Sequence, residues 1–252
     1  MIEVKNSLTS ATKPSLNMLC YGQPGVGKTS FGASGMGKTI LIDAESGSNL
    51  LALREINVDI VSLKSWDEMK EVYAWVKEKG YETVVLDPLG ELLDKLLSSL
   101  KKDGYASAKG DSLTLQGWGV AKERFREMIR AFRDLKINTI LVAHSAESKD
   151  EDAVLVRPKL QAHLDEDVCA MMDIVGYLKV GKVKEETVRR MYFSPTDKFY
   201  AKDRSGQLPE YLDNASFKDI MERIQANPVL QKLNELNEKE SKNVDEFSKD
   251  LK

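Results

Sequence analysis

Residues 16–29 read Leu-Asn-Met-Leu-Cys-Tyr-Gly-Gln-Pro-Gly-Val-Gly-Lys-Thr, an apolar run followed by a glycine-rich loop. The last eight residues fit the pattern G-x-x-x-x-G-K-[ST]. Glycines let successive backbone N–H groups turn inward around phosphate oxygens, and the lysine and threonine reach the phosphates and Mg²⁺. The run predicts a buried strand that leads into a nucleotide-binding loop. The residues predicted to bind the nucleotide are Gly22, Gln23, Pro24, Gly25, Val26, Gly27, Lys28, Thr29 and Ser30.

A second stretch, residues 32–39, fits the same pattern. No apolar strand precedes it, and it runs directly into the β-branched and apolar residues 39–42, where a helix should follow. This copy therefore predicts the end of a helix and the turn into the next strand.

Short apolar runs alternate with amphipathic stretches as far as about residue 195. The runs predict strands that are buried on both faces, at 16–21, 39–43, 58–61, 83–87 and 139–143. The amphipathic stretches predict helices, at 66–79, 89–100 and 120–135. Ser65 and Glu68 have the spacing of a capping box for the first helix, and Gly80 marks its end. Strands that alternate with helices predict a three-layer α/β fold with a mostly parallel sheet.

The pattern changes after Asp173. Runs at 174–180, 187–194 and 198–202 predict an antiparallel extension of the sheet, with a tight turn at Gly181-Lys182. The chain then becomes helical and highly charged from Ser216 on. We predict an irregular leader at 1–15, an α/β core at 16–212 and a helical charged tail at 213–252, with an end that frays.

Composition excludes several classes of protein. Two cysteines, Cys20 and Cys169, in 252 residues do not make a disulfide scaffold or, with two histidines, a zinc site. The formal charge of −3 gives no global basic field that would attract nucleic acid. No apolar run reaches the roughly 18 residues of a membrane span, and residues 1–15 lack the apolar core of a signal peptide. We therefore expect a cytoplasmic protein without a membrane partner.

Carboxylates follow two of the predicted strands. Asp87 ends the run Val84-Val85-Leu86, in the position of a Walker B aspartate that holds Mg²⁺ together with Thr29. Glu45 follows the strand at 39–43 and is the candidate base for an attacking water; Asp43 is the nearer alternative.

The string Leu41-Ile42-Asp43-Ala44-Glu45, between a phosphate loop and a Walker B strand, resembles the core ATPase domain of the RecA family over residues 16–206. The sequence is also similar to the small, core-only RecA-like ATPases of bacteriophages, some of which act as single-strand annealing proteins. The resemblance implies Mg²⁺-dependent ATP hydrolysis with Glu45 as the base. It also implies that His144, at the end of the fifth strand, senses the γ-phosphate.

Lys202-Asp203-Arg204-Ser205-Gly206 is similar to the K-x-R-x-G element of RadA and of hexameric DnaB-type helicases. In those families the lysine and arginine reach the nucleotide of the neighbouring subunit. The resemblance implies a homo-oligomer, a ring or a filament, with ATP at the subunit interfaces and with Lys202 and Arg204 as catalytic residues. The alternative is a basic turn.

Single-stranded DNA is the partner that the resemblance implies. The DNA-binding loops of RecA-like proteins correspond to the glycine-bearing, basic residues 101–110, with Tyr105, and to residues 145–164, whose first half is acidic. The helix at 122–136 carries six basic and three acidic residues, which also suits a solvated face.

The sequence therefore predicts a DNA-stimulated ATPase of recombination, annealing or repair, in the host cytoplasm if it is phage-encoded. One alternative is a P-loop phosphotransferase for a small molecule. The other is a nucleotide-gated scaffold with little turnover that binds a single-strand DNA-binding protein, which the charged tail could contact.

Overall fold

The computed structural model describes residues 15–150 and 153–232. Almost all of the predicted leader and the last twenty residues of the predicted tail lie outside them. Within the described residues, no helix combines the length and the apolar character that crossing a membrane requires.

One mixed sheet organises these residues, in the order β10-β8-β7-β1-β5-β4-β2-β3, with β6 on β5 and β9 on β7. The strands are β1 (Asn17–Gly22), β2 (Thr39–Asp43), β3 (Asp59–Ser62), β4 (Thr83–Asp87), β5 (Asn138–Asp150), β6 (Ala153–Pro158), β7 (Ile174–Val183), β8 (Glu186–Tyr192), β9 (Lys202–Asp203) and β10 (Tyr211–Asp213).

The centre of the sheet is parallel, because β3, β2, β4, β5, β1 and β7 pair parallel in that spatial order. Residues of β1, β2 and β4 are buried along almost their whole length. Strands buried on both faces need helices on both sides, and the carboxyl ends of parallel strands meet at one edge. That edge receives the phosphate loop and the residues after β2, β4 and β5.

Helices cover both faces of the sheet. Four of them build the larger core with Leu19, Ile42 and Leu86, and the first and last pack on the other face against Met18 and Cys20. The helices are α1 (Lys28–Gly32), α2 (Met69–Glu78), α3 (Leu89–Leu100), α4 (Leu115–Arg133), α5 (Leu164–Met171) and α6 (Phe217–Gln225). The three-layer, mostly parallel fold with an antiparallel extension is confirmed.

The second glycine-rich stretch is a turn, as predicted. Helix α1 ends at Gly32, and the turn with Gly35 and Gly37 leads into β2. The Lys38 ammonium lies at the edge opposite the phosphate loop, where it donates to the Lys79 carbonyl oxygen at 3.0 Å.

The fifth strand is longer than predicted and overturns the expectation of a loop at 145–164. β5 continues past Ala143 to Asp150 and forms an antiparallel hairpin with β6. Helix α5 follows, and His163 is its N-cap residue. The short apolar run Ala153-Val154-Leu155-Val156 is a strand signal that the acidic first half of the segment obscured.

Three local predictions are wrong. The β7–β8 turn lies at Lys184-Glu185, both with positive φ, while Gly181-Lys182 is inside β7. The capping box at Ser65 does not form; the Glu68 carboxylate accepts instead from the backbone N–H of Lys64 at 2.8 Å, and α2 begins only at Met69 after a 3₁₀ turn. Of the predicted strand at 198–202, only Lys202 lies in a strand, β9.

Gly22 gives a stability test of the strand that carries the phosphate loop. A Cβ at this position would lie 2.2 Å from the Leu178 carbonyl oxygen of β7. We expect Gly22→Ala to lower the free energy of unfolding by about 1–3 kcal/mol, because backbone must move. Chemical denaturation measures the change.

The matched control is Gly119→Ala in α4, where an added Cβ meets nothing within 4 Å. Alanine there should raise the free energy of unfolding by about 0.5–1 kcal/mol through helix propensity. A Gly22→Ala variant as stable as wild type would show that β1 and β7 are not packed this closely.

Candidate functional site

The phosphate loop joins β1 to α1, a helix of five residues. Gly25 and Gly27 have φ of 79° and 101°, the left-handed region that glycine adopts without strain. Gly22 abuts β7, so the loop's first residue also has no room for a side chain. The backbone conformation thus requires the glycines that the motif supplies.

Lys28 is buried at the start of α1, and its ammonium group donates to the Gln23 carbonyl oxygen at 2.9 Å. Burial lowers the pKa of Lys28, and the negative charges of Asp87 and Glu45 oppose this shift. The lysine is therefore folded back over its own loop, beside two carboxylates, in the position where phosphate oxygens would replace the carbonyl.

Asp87 ends β4 and is buried at the same edge. The pKa of Asp87 is raised to about 6, chiefly by burial, and the negative charges of Glu45 and Asp43 contribute to this rise. The Thr29 hydroxyl and the Lys28 ammonium oppose this rise. A carboxylate that is costly to ionise alone gains from a cation placed beside it.

Asp87 and Thr29 fit the Mg²⁺ that accompanies a nucleotide, because a carboxylate and a hydroxyl give Mg²⁺ two oxygen ligands and leave the rest to phosphates and water. Within residues 15–150 and 153–232, no cluster of three or more His, Cys, Asp or Glu side chains could hold a metal by itself. The donor set therefore suits a metal that arrives with the nucleotide.

Asp43 has a structural role. Its carboxylate accepts from the backbone N–H groups of Glu45 at 3.1 Å, Gly47 at 3.2 Å and Ser48 at 3.0 Å, and from the Ser48 hydroxyl. These donors occupy the carboxylate and fix the turn after β2. Of the two candidate bases, Glu45 is the one left available for water.

Glu45 and His144 face each other across the end of β4. The Glu45 Oε2 lies 3.7 Å from the His144 Nε2, and their side chains are 40% and 30% exposed. His144 pairs in register with Gly22, and its buried Nδ1 has no hydrogen-bond partner among the described residues. A carboxylate and an imidazole thus stand beside the lysine, where a terminal phosphate and a water would meet.

Lys202 and Arg204 lie at the opposite edge of the sheet. β9 pairs with Ile174 and Val175 at the start of β7, three to four residues, or roughly 10–13 Å, from the loop end of the neighbouring β1. Neither side chain can act on the nucleotide of its own chain.

Both side chains cap the carboxyl end of α5. The Lys202 ammonium donates to the carbonyl oxygens of Met172 at 2.6 Å, Cys169 at 2.9 Å and Ala170 at 3.2 Å. Arg204 donates to Ala170 at 3.0 Å, but its side chain is 55% exposed. The Arg204 side chain is therefore freer than that of Lys202 to extend into a neighbouring subunit.

Two arginines near the phosphate loop escaped sequence reasoning. Arg54 donates to the Ser30 hydroxyl at 2.6 Å. Arg189, on β8, lies so close to Gly27 that a Cβ on the glycine would be 3.0 Å from the arginine Nε. No local motif marks either residue. Arg189 reaches the loop only because the strand order places β8 on the side of the loop away from Asp87.

The predicted DNA-binding segment at 101–110 is held by its own contacts. Lys101 donates to the Asp111 carbonyl oxygen at 2.8 Å, and Asp103 lies 3.5 Å from Arg124. Tyr105 packs partly against the core. On α4, Arg126 binds Asp167, and Arg130 lies 3.2 Å from Glu123. These ion pairs favour the alternative that the basic residues of this helix form a solvated face.

The family described as AAA domain matches residues 15–205. No curated protein matches the chain. Among solved structures, a KaiC-like protein from the archaeon Pyrococcus horikoshii OT3 is similar, with 15% identity and a TM-score of 0.43, over 70% of this chain and 77% of that chain.

The raised pKa of Asp87 predicts a pH-dependent stability. The folded state binds the Asp87 proton more tightly than the unfolded state, so this group costs stability as pH rises from about 4 to 6 and above. Without Mg²⁺, we expect Asp87→Asn to raise the free energy of unfolding at pH 7, by at most about 3 kcal/mol. The gain should shrink toward pH 4.

Denaturation of both proteins at several pH values measures this difference. A variant that is less stable than wild type at every pH would contradict the electrostatic account of the site.

Arg189 gives a second prediction. If its guanidinium contacts the phosphates or ribose of a bound nucleotide, Arg189→Ala should weaken ATP binding about tenfold, because a charge-assisted hydrogen bond is lost. Titration with a fluorescent ATP analogue measures it.

Lys182→Ala removes a cation from the same hairpin, with a side chain that is 71% exposed and 3.9 Å from Glu185. It should leave ATP affinity unchanged. Equal affinities for both variants would place Arg189 outside the nucleotide site.

Proposed function

The chain belongs to the AAA domain family, and from that premise we propose that it binds ATP with Mg²⁺ and hydrolyses it in the service of single-stranded DNA recombination, annealing or repair. The meeting of Lys28, Asp87, Glu45 and His144 at one sheet edge is the observation that carries the ATPase part. The DNA part is supported by the resemblance to core-only RecA-like ATPases of bacteriophages.

The loop would bind the phosphates through its backbone N–H groups, with Lys28 turning from the Gln23 carbonyl to the terminal phosphates. Thr29 and Asp87 would hold Mg²⁺, which supplies neutralisation of charge on the terminal phosphates.

Glu45 accepts a proton from the attacking water, since of the two candidate bases Asp43 is occupied by backbone donors and Glu45 is not. His144 donates to the terminal phosphate from the other side. This pairing favours water over a small molecule as the acceptor of the phosphoryl group, because the base Glu45 and the sensor His144 already face each other at one point.

The homo-oligomer is the second part of the proposal. Lys202 and Arg204 stand at the edge opposite the loop, so a ring or filament that stacks this edge on the next subunit's loop would bring Arg204 to its ATP. A cation in that place stabilises the charge of the transition state.

Glu45→Gln tests the catalytic assignment. The amide cannot accept the water's proton, so we expect turnover to fall at least a hundredfold, in line with the usual contribution of a general base. ATP affinity should stay within about threefold, whereas Lys28→Ala should lose both binding and turnover. Phosphate release and equilibrium titration measure the two quantities.

Glu185→Gln is the control, because this carboxylate is 95% exposed at the β7–β8 turn. Full activity of Glu45→Gln would remove it from the mechanism. A wild-type protein that binds ATP but scarcely hydrolyses it would favour the nucleotide-gated scaffold.

A further inference from the structure

A cleft of about 720 Å³ opens between the β5–β6 and β7–β8 hairpins. Aromatic rings and valines form its walls, and charged side chains stand at its rim. It is lined by Val154, Val156, Tyr177, Lys179, Tyr192, Asp197, Lys198 and Phe199.

The rings of the cleft belong to a continuous aromatic column. Tyr177 lies 5.0 Å from Phe199, and Phe199 lies 4.9 Å from Tyr192, between ring centroids. Tyr192 is 5.8 Å from Tyr211, which is 40% exposed. Tyr192 and Phe199 keep part of their surface in solvent. An unpaired base offers a flat π face of the kind that stacks on such rings.

The lysines of the rim are available for an anionic ligand. Lys179 and Lys198 are exposed, and neither forms an ion pair with a carboxylate in the described part of the chain. Two other cations of the β7–β8 hairpin do pair with carboxylates: Lys182 with Glu185, and Arg190 with Asp213.

Two carboxylates lie nearby. Asp197 is part of the lining. The other is Glu147. Burial raises the pKa of the Tyr177 hydroxyl, and the charges of Tyr192 and Glu147 contribute to this rise. The cleft therefore combines cations and aromatic rings without being strongly basic. Such a surface suits unpaired bases that bind by stacking better than it suits a duplex that binds through its phosphate charges.

We propose that this cleft binds unpaired bases of single-stranded DNA, which stack on Tyr192 and Phe199 while Lys179 and Lys198 contact the adjoining phosphates. The choice of DNA as the ligand rests on the proposed function; the place rests on the cleft. It differs from the segment at 101–110, whose contacts close it on itself.

The cleft is also tied to the nucleotide edge. The Tyr21 hydroxyl donates to the carbonyl oxygens of Tyr200 at 2.5 Å and Val156 at 3.1 Å, beside the cleft wall. Its ring lies 5.1 Å from that of Tyr177. Tyr21 directly precedes Gly22, so a movement of the phosphate loop reaches the cleft through one residue.

The test is fluorescence anisotropy of labelled oligo(dT) with the full-length protein, Mg²⁺ and a non-hydrolysable ATP analogue, over a salt series. The charge variant is Lys179→Ala with Lys198→Ala, both exposed, so folding is kept. The stacking variant is Tyr192→Leu, which keeps an apolar side chain. The control is Lys102→Ala with Lys109→Ala, which removes the same charge from the segment at 101–110.

We expect the lysine pair of the cleft to weaken oligo(dT) binding at least tenfold and to reduce the salt slope by about 1.4, the value for two phosphate contacts to a single strand. Tyr192→Leu should weaken binding about fivefold or more without changing the slope. The control should change affinity less than twofold.

Wild-type affinity in both cleft variants, with a loss in the control, would overturn the cleft as the site while leaving the proposed function standing. Failure of the wild type to bind oligo(dT) would overturn the DNA part of the proposed function and the cleft together. If light scattering showed that the cleft variants change the oligomeric mass while their DNA affinity stays at the wild-type value, the cleft would be assigned to a second copy of the chain. That result would also overturn the proposal.

Discussion

The parallel insertion of β5 between β1 and β4 is the constraint on which the site depends. It sets His144 level with Gly22, and it places β4, which ends in Asp87, one strand further along. β2 pairs next to β4 and brings Glu45 to the same edge. Because these strands run in one direction, residues that are far apart in the chain meet where the phosphate loop begins. An antiparallel β5 would send His144 to the other end of the sheet.

The cost of this convergence is electrostatic. A buried ammonium and a buried carboxylate lie near a second carboxylate, and burial works against the charged form of both Lys28 and Asp87. The same edge is stiffened by Asp43, whose four hydrogen bonds hold the turn that presents Glu45. Such strained charge is typical of functional sites, and a nucleotide with its metal supplies both the anion for Lys28 and the cation for Asp87.

Much of this edge could be predicted from the sequence, because its signals are local. The glycines of the loop, Lys28 and the apolar run that ends in Asp87 each carry their own pattern, and Glu45 follows from its place after a strand. Other features depend on neighbours that are distant in the chain. Arg189 lies at the loop only because β8 is two strands from β1, and Lys202 caps α5 only because β9 pairs with β7. The hairpin after His144 was missed since residues 147–152 carry four acidic side chains and resemble a solvated loop. The turn at Lys184-Glu185 lacks the glycine that usually marks one.

Hydrolysis of ATP by the intact chain, followed as phosphate release with and without Mg²⁺ and with and without single-stranded DNA, tests the central claim most directly. The account predicts turnover that requires Mg²⁺ and rises with DNA, with the rise fading as salt increases. ATP that stays intact in the presence of Mg²⁺ and DNA would contradict the assignment of this edge as a hydrolytic site.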